Sequence, residues 1–196
     1  MKKLFVLFII MVSVSMGQAQ EHKPELLKQP VNWEFERFSL PPAFAPGITY
    51  KGAEELRFAP GMFNKDSANY FSYAFVVQLD NVPTISQAEI RDYLLKYYKG
   101  LCHVTANDRK LVIDTGQVTV AVEKRKDTPE TIYNASANIF GVFADGVPVK
   151  LNLEIKVLMD TATKTTYLLV IASPREKKDA IWKTLYQIQK EFTIPG

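Results

Sequence analysis

Five segments rich in β-branched and apolar residues follow one another between Lys110 and Ser173. In chain order they are KLVID, QVTVAVEK, TIYNASANIF, VPVKLNLEIKVLMD and TTYLLVIAS. Turn-forming residues separate them at Asp114 to Gly116, Asp127 to Pro129, Asp145-Gly146 and Asp160 to Thr163. These intervals are too short for the crossover helix that joins parallel strands. The spacing of the segments therefore predicts an antiparallel sheet.

Three further strands are predicted earlier in the chain: WEFERFSL, EELRF (Glu54–Phe58) and YFSYAFVVQLDN. In the last of these, large apolar side chains alternate as they do on a strand face that lies on the core: Phe71, Tyr73, Phe75, Val77 and Leu79. The side chains between them are mostly small, which allows a helix to lie close to the opposite face: Ser72, Ala74, Val76 and Gln78.

Two of the later segments differ in how their faces are predicted to be used. TTYLLVIAS is apolar on both faces, which predicts a central strand. In VPVKLNLEIKVLMD every second residue is apolar, and we expect the intervening polar side chains to face solvent: Lys150, Asn152, Glu154 and Lys156.

Two helices are predicted. The first opens at Ser86 and Glu89, whose spacing is that of a capping box, and it ends at Gly100 or continues to about Val104. Its buried stripe is Ile90, Leu94, Tyr97 and Leu101. Tyr93 and Tyr97 are expected to pack on the sheet with their hydroxyls in water.

The second helix is predicted to begin at Ser173 as N-cap, with Pro174 in its first turn and Glu176 completing a capping box. Its buried stripe is Ile181, Leu185, Ile188 and Phe192, with Trp182 at the edge. Together the elements predict one α+β domain over residues 33–196. It consists of a mostly antiparallel β-sheet with two main helices packed on it, an α/β sandwich.

The first residues predict export. Lys2 and Lys3 precede an apolar run that reaches about Met16, too short to span a bilayer, and small Gly17 and Ala19 follow. We predict a signal peptide over residues 1–19, cut between Ala19 and Gln20, and no stable membrane anchor afterwards. Residues 20–32, polar and with two prolines, are predicted to be a flexible lead-in. Periplasm and extracellular space stay open as destinations.

The composition argues against several activities. Removing two lysines with the signal leaves 22 basic against 21 acidic residues, so no nucleic-acid partner is predicted. Cys102, His103 and His22 are too few for a zinc site, and neighbouring Cys102 and His103 point apart on a helix. Glu54 and Glu55 lie on opposite faces of a strand. No catalytic residue, metal or cofactor is predicted, although a carboxylate pair from separate strands is left open.

The loop APGMFNKDSAN contains two large apolar residues, Met62 and Phe63, that no periodicity explains. They either fold over an open edge of the core or offer a surface to a partner. Tyr70 follows at the entrance of the next strand, where alternation places it opposite Phe71. Met62, Phe63 and Tyr70 are therefore the candidate ligand- or partner-binding residues.

The last thirty residues before the terminus, TTYLLVIASPREKKDAIWKTLYQIQKEFTI, resemble the ending of PsbP-like proteins: a buried strand, an Ala-Ser-Pro step and a helix closing with Phe192 and Ile194. The segment FSLPPAFAP is similar to the opening of that group and its secreted bacterial relatives. The resemblance implies an antiparallel sheet sandwiched by helices and a binding or assembly role. We therefore predict an exported, non-enzymatic protein that binds an envelope protein or a small ligand. The alternative is a hydrolase of envelope polymers.

Overall fold

The computed structural model describes residues 25–195, so the predicted signal peptide and residues 20–24 lie outside the described residues. The elements are β1 (Glu34–Leu40), β2 (Gly52–Phe58), β3 (Tyr73–Leu79), α1 (Gln87–Asp108), β4 (Thr119–Lys124), β5 (Ile132–Phe140), β6 (Pro148–Asp160), β7 (Thr165–Ser173) and α2 (Ala180–Glu191). A short 3-10 turn, Thr115–Gln117, precedes β4.

All seven strands join one antiparallel sheet in the order β1-β2-β3-β7-β6-β5-β4. The predicted α+β class and the single antiparallel domain are confirmed. Strand β7 lies at the centre of the sheet and is buried along its whole length, as its two apolar faces predict. Neither helix in residues 25–195 combines the length and apolarity that a membrane crossing requires.

The two faces of the sheet carry separate cores. Phe75 and Val77 of β3 belong to a core that α1 covers, and Ala74 and Val76 belong to a second core that α2 covers. Trp182 lies in the middle of this second core with no exposed surface, rather than at its edge. The small side chains on one face of β3 allow α2 to pack there, as the sequence predicts.

The prediction of a strand at KLVID is wrong. Helix α1 runs past Gly100 and Val104 to Asp108, and Lys110 then takes a left-handed conformation with φ 56°. The amide of Leu111 donates to the carbonyl of Ala106 at 2.8 Å, so these residues close the end of the helix. Lys110 and Leu111 therefore belong to the end of the helix, and residues 112–114 join no strand of the sheet.

The close contact between α1 and the loop that joins β1 to β2 depends on the absence of a side chain at Gly100. A Cβ atom at Gly100 would lie 2.1 Å from the carbonyl oxygen of Phe44. The loop between β1 and β2 therefore crosses α1 in direct contact with the helix backbone. In this helix Gly100 permits a close approach and does not mark an end.

The predicted start of the second helix at Ser173 is also wrong. Ser173 is the last residue of β7, where it pairs with Asn152 and its hydroxyl lies 2.7 Å from that of Ser72. Six residues then connect the strand to α2, which begins after Asp179. Pairing with β6 and the contact with the hydroxyl of Ser72 hold Ser173 in the sheet and outweigh its local preference for a helix N-cap.

Glu154 of β6 does not face solvent as expected. Its side chain is 1% exposed because the connection before α2 covers it. Lys177 of that connection lies 2.9 Å from one carboxylate oxygen, and Arg125 lies 3.5 Å from the other. The outer face of β6 is therefore covered by an ion-pair network at this position.

The described part of the lead-in is held against the sheet. Leu26 and Leu27 are 5% and 2% exposed and belong to the core under α2. Their amides donate to the carboxylate of Glu55 on β2. The expectation of a flexible segment does not describe residues 25–27, because a side-chain partner on a distant strand binds their backbone.

Candidate functional site

The structure places the three candidate residues in one loop, residues 59–72, which we call the aromatic loop. It joins β2 to β3 at one end of the sheet. Met62 is buried at 2% exposure, and its carbonyl accepts the amide hydrogen of Phe71 at 2.9 Å. Of the two interpretations of Met62, the structure supports packing over the core. Met62 is therefore not available to a partner.

Phe63 occupies the same loop but reaches the surface. Its side chain is 44% exposed. The inner side of the ring packs against Phe58, at 5.5 Å between centroids, and against Phe143 at 5.2 Å in an edge-on arrangement. These contacts fix the ring while leaving its outer side in water, so Phe63 is the candidate residue that a partner can reach.

Tyr70 does not lie on the opposite face from Phe71, and that prediction is wrong. Phe71 adopts φ 51°, which interrupts the strand alternation, and both rings enter the core under α1. Tyr70 is 8% exposed, and its hydroxyl has no hydrogen-bond partner among the described residues. Burial, reinforced by the charge of Asp145, raises the pKa of Tyr70, and Arg109 opposes this effect.

Side-chain contacts hold the aromatic loop in place. Arg175 donates to the carbonyls of Ser67 at 2.7 Å and Ala68 at 3.0 Å. Lys65 forms an ion pair with Asp145, which lies in the turn between β5 and β6. The loop is therefore bonded to two separate parts of the fold, and it presents Phe63 in a defined position.

Two other exposed apolar residues belong to segments next to this loop. Val147 is 44% exposed and lies in the same turn as Phe143, the contact of Phe63. Val112 is fully exposed, and its neighbours Leu111 and Ile113 approach the turn at Gly146. We call the exposed side chains of Phe63, Val112 and Val147 the tip surface. Of these three residues only Phe63 was selected from the sequence, because Val112 and Val147 lie on separate segments that only the fold brings near the aromatic loop.

A buried polar cluster around Glu54 lies inside the core under α1, and it was not selected as a site from the sequence. Glu54 of β2 has no exposed surface. The hydroxyl of Tyr93 donates to Glu54 Oε2 at 2.9 Å, and Oε1 has no hydrogen-bond partner among the described residues. Burial raises the pKa of Glu54 to about 8, the hydroxyls of Tyr97 and Tyr93 oppose the shift, and the charge of Glu36 adds to it. Burial therefore favours the neutral, protonated form of this carboxyl group at pH 7.

The tyrosines of α1 close this site from water. The expectation that the hydroxyls of Tyr93 and Tyr97 are hydrated is wrong: the two residues are 1% and 2% exposed, and Tyr93 donates to Glu54. The hydroxyls of Tyr98 and Tyr73 are 2.8 Å apart. The ring of Tyr97 stacks on Phe75 at 5.7 Å. A signal for Glu54 was present in the sequence, because strand alternation places it on the same face as Leu56 and Phe58.

The two glutamates whose pKa burial raises, Glu36 and Glu54, do not form an open reaction site. Glu36 lies near Glu54 and burial raises its pKa as well, but no substrate reaches the fully enclosed Glu54. No group of three His, Cys, Asp or Glu side chains in this range is arranged to hold a metal ion. Cys102 is completely buried, as expected of a lone cysteine in a core. Glu54 and Glu55 face opposite sides of the sheet, as predicted.

The fold and the tip surface together define a class: an α+β sandwich with two cores and an anchored loop that exposes one aromatic ring. No protein-family model, curated protein or solved structure matches the chain at a significant level. The resemblance to PsbP-like proteins therefore stays a prediction, and the function has to be argued from the described residues.

Proposed function

We propose that this chain is an exported, non-enzymatic protein of the cell envelope that binds a partner protein through the tip surface. The observation that carries the proposal is the half-exposed ring of Phe63 on a loop that Arg175 and Lys65 hold in place. An aromatic side chain fixed in its bound position loses little conformational entropy on binding. Such rings are frequent among the residues that dominate binding energies at protein interfaces.

A protein partner fits the surface better than a small ligand does. Two depressions in the described surface have volumes of about 170 and 50 Å³. Pockets for small molecules are typically of about 300 to 1,000 Å³. Neither depression is lined by Phe63, Val112 or Val147. A hydrolase is not favoured, because the carboxyl group with the largest change in pKa is enclosed among tyrosines.

Site-specific photocrosslinking tests the proposal in intact cells. A photoreactive phenylalanine analogue at position 63 is expected to form a crosslink to a discrete partner. The matched control is the same analogue at Phe35, which is exposed to the same 44% but lies over Arg57 on the opposite face of the sheet. Equal crosslinking from both positions would show that the crosslinks are non-specific and would contradict the proposal.

A mutational test uses Phe63→Ser, because Met62→Ala would remove a buried side chain and confuse binding with stability. We expect Phe63→Ser to lower recovery of the crosslinked partner at least tenfold, since loss of a central aromatic contact typically costs about 2 kcal/mol or more. Phe35→Ser is the control and should retain full recovery. Unchanged recovery with Phe63→Ser would exclude this ring from the interface.

Export is tested separately by the mass of the protein recovered from the envelope fraction. The proposed cleavage predicts a chain that begins at Gln20. A chain that retains Met1 would overturn both the cleavage and the proposed location, whatever the outcome of the crosslinking.

A further inference from the structure

Two side chains of β2 bind the backbone of the first described residues. We call Glu25, Leu26 and Leu27 the arm, and Glu55 and Arg57 the clasp. Glu55 Oε2 accepts the amide hydrogens of Leu26 and Leu27 at 2.6 and 2.9 Å. Arg57 donates to the carbonyl of Leu27 from Nε at 3.1 Å and from Nη2 at 2.8 Å. Since these four contacts end on main-chain atoms, the clasp is a site for an extended peptide segment.

The arm also supplies side chains that match the site. The carboxylate of Glu25 lies 3.0 Å from Nη2 of Arg57, and the two leucines fill the core under α2 beside Trp33. The clasp therefore selects an acidic residue followed by two apolar residues. This sequence occurs in the arm itself.

The clasp requires an occupant. Glu55 has no exposed surface and Arg57 is 6% exposed. Glu55 also forms an ion pair with Arg37 at 2.7 Å, and Arg57 lies over the ring of Phe35 at 4.4 Å; neither contact involves the arm. If the arm left, these groups would lose four hydrogen bonds to its backbone, and the two leucines would expose apolar surface to water, which is unfavourable. A second segment of the same chemistry is therefore favoured to enter whenever the arm leaves.

The arm can leave without breaking the sheet. It precedes β1, whose pairing with β2 begins at Glu34. The connector between them, residues 28–32, lies largely in solvent, and Val31 is 75% exposed. A groove of about 170 Å³ lies between the arm and the end of α2, so the arm is not packed tightly along that side.

We propose that the clasp exchanges arms between two copies of this chain, so that the arm of each copy occupies the clasp of the other. A second copy is the partner that fits, because it supplies the same carboxylate, the same two leucines and the same backbone spacing. Exchange of an identical segment produces a closed twofold dimer. This contact lies on the opposite sheet face from Phe63 and does not depend on the proposed partner-binding function.

The concentration dependence of the exchange follows from the length of the connector. An arm tethered to its own clasp by a short connector has an effective concentration in the millimolar range. The monomer is therefore favoured in dilute solution. The dimer should accumulate when copies refold together at protein concentrations approaching about 1 mM.

The first test refolds the chain that begins at Gln20, the proposed mature protein, from urea at a series of concentrations and measures its mass by light scattering after size exclusion. We expect the dimer fraction to rise with the refolding concentration. Leu26→Asp combined with Leu27→Asp should lower that fraction at least tenfold, and Val31→Asp in the exposed connector should leave it unchanged. Monomer at every concentration would overturn the proposal, as would undiminished dimer with the defective arm.

A second test removes the advantage of the tethered arm. One copy carries the defective arm and an intact clasp, and the other carries an intact arm and the clasp substitutions Glu55→Gln and Arg57→Met. Native mass spectrometry of the mixture is expected to show a heterodimer, while each variant alone remains monomeric. Near-ultraviolet circular dichroism checks that each variant is folded. Absence of the heterodimer between folded variants would contradict the exchange.

Discussion

Replacement of Glu54 by glutamine tests how the core under α1 tolerates a buried carboxyl group. Glutamine has the shape of the neutral acid, and its carbonyl oxygen can accept the hydroxyl hydrogen of Tyr93 as Glu54 Oε2 does at 2.9 Å. Unlike the acid, glutamine does not ionise. The substitution therefore removes the titration while preserving the main polar contact.

The size of the pH-dependent change in the free energy of unfolding follows from the difference in the pKa of Glu54 between the folded and the unfolded chain. The folded pKa of Glu54 is about 8 and the ordinary value is 4.5. Because the folded pKa is the higher one, the unfolded chain ionises first, and stability falls as pH rises from 4.5 through 8. A difference of about 3.5 units corresponds to at most about 5 kcal/mol. Between pH 5 and 8 the expected loss is about 3 to 4 kcal/mol.

Urea unfolding at several pH values measures this effect, with the fluorescence of the fully buried Trp182 as the signal. The free energy of unfolding of Glu54→Gln relative to wild type should increase by about 3 to 4 kcal/mol from pH 5 to 8. Subtracting the two curves removes the contribution of Glu36, whose pKa is also raised by burial. A second measurement is the NMR chemical shift of the Glu54 carboxyl carbon, which should change with a midpoint near pH 8.

Glu55→Gln is the control for removal of a buried carboxylate on the same strand. Glu55 pairs with Arg37 and accepts two amides of the arm, so this substitution should destabilise the protein by about 3 kcal/mol or more. The reasoning about Glu54 is refuted if the difference between wild type and Glu54→Gln is the same at pH 5 and pH 8.

Three further substitutions have outcomes that the packing decides. Gly100→Ala should destabilise by about 1 to 3 kcal/mol in thermal unfolding, because its Cβ would meet a carbonyl at 2.1 Å, while Gly47→Ala, with open space around it, should be near neutral. Arg175→Ala removes two bonds to the aromatic loop and should speed amide exchange there; unchanged exchange would contradict the anchoring. Ser173→Ala should cost about 1 to 3 kcal/mol in urea unfolding, because it removes the hydroxyl that lies 2.7 Å from that of Ser72 and that accepts the amide hydrogen of Arg175 at 3.1 Å. An unchanged free energy of unfolding would contradict this role of the hydroxyl.

The periodic elements could be predicted from the sequence because burial imposes a fixed period on each of them. The alternation in β3 and the two apolar faces of β7 predict their places in the sheet. The capping box at Ser86 and Glu89 is formed as predicted, with both reciprocal bonds present. These signals lie within a few residues of one another, so no distant part of the chain has to be known.

The errors lie where a distant segment outweighs a local preference. KLVID has strand-forming residues, but the closing turn of α1 uses its backbone. Ser173 has the preference of a helix N-cap, but β6 and the hydroxyl of Ser72 hold it in the sheet. Glu154 alternates as a solvent-facing residue, but Lys177 of the following connection covers it.

The candidate sites show the same division. The sequence determined that Phe63 has no periodic place in the core and that Glu54 and Glu55 face opposite sides of the sheet. Only the tertiary structure decided that Phe63 is accessible while Met62 is buried. It also decided that Glu55 binds the arm, which lies 28 and 29 residues earlier in the chain. Local periodicity specifies which side of an element a residue occupies. Which groups cover that side depends on segments far apart in sequence, and only the folded chain brings them together.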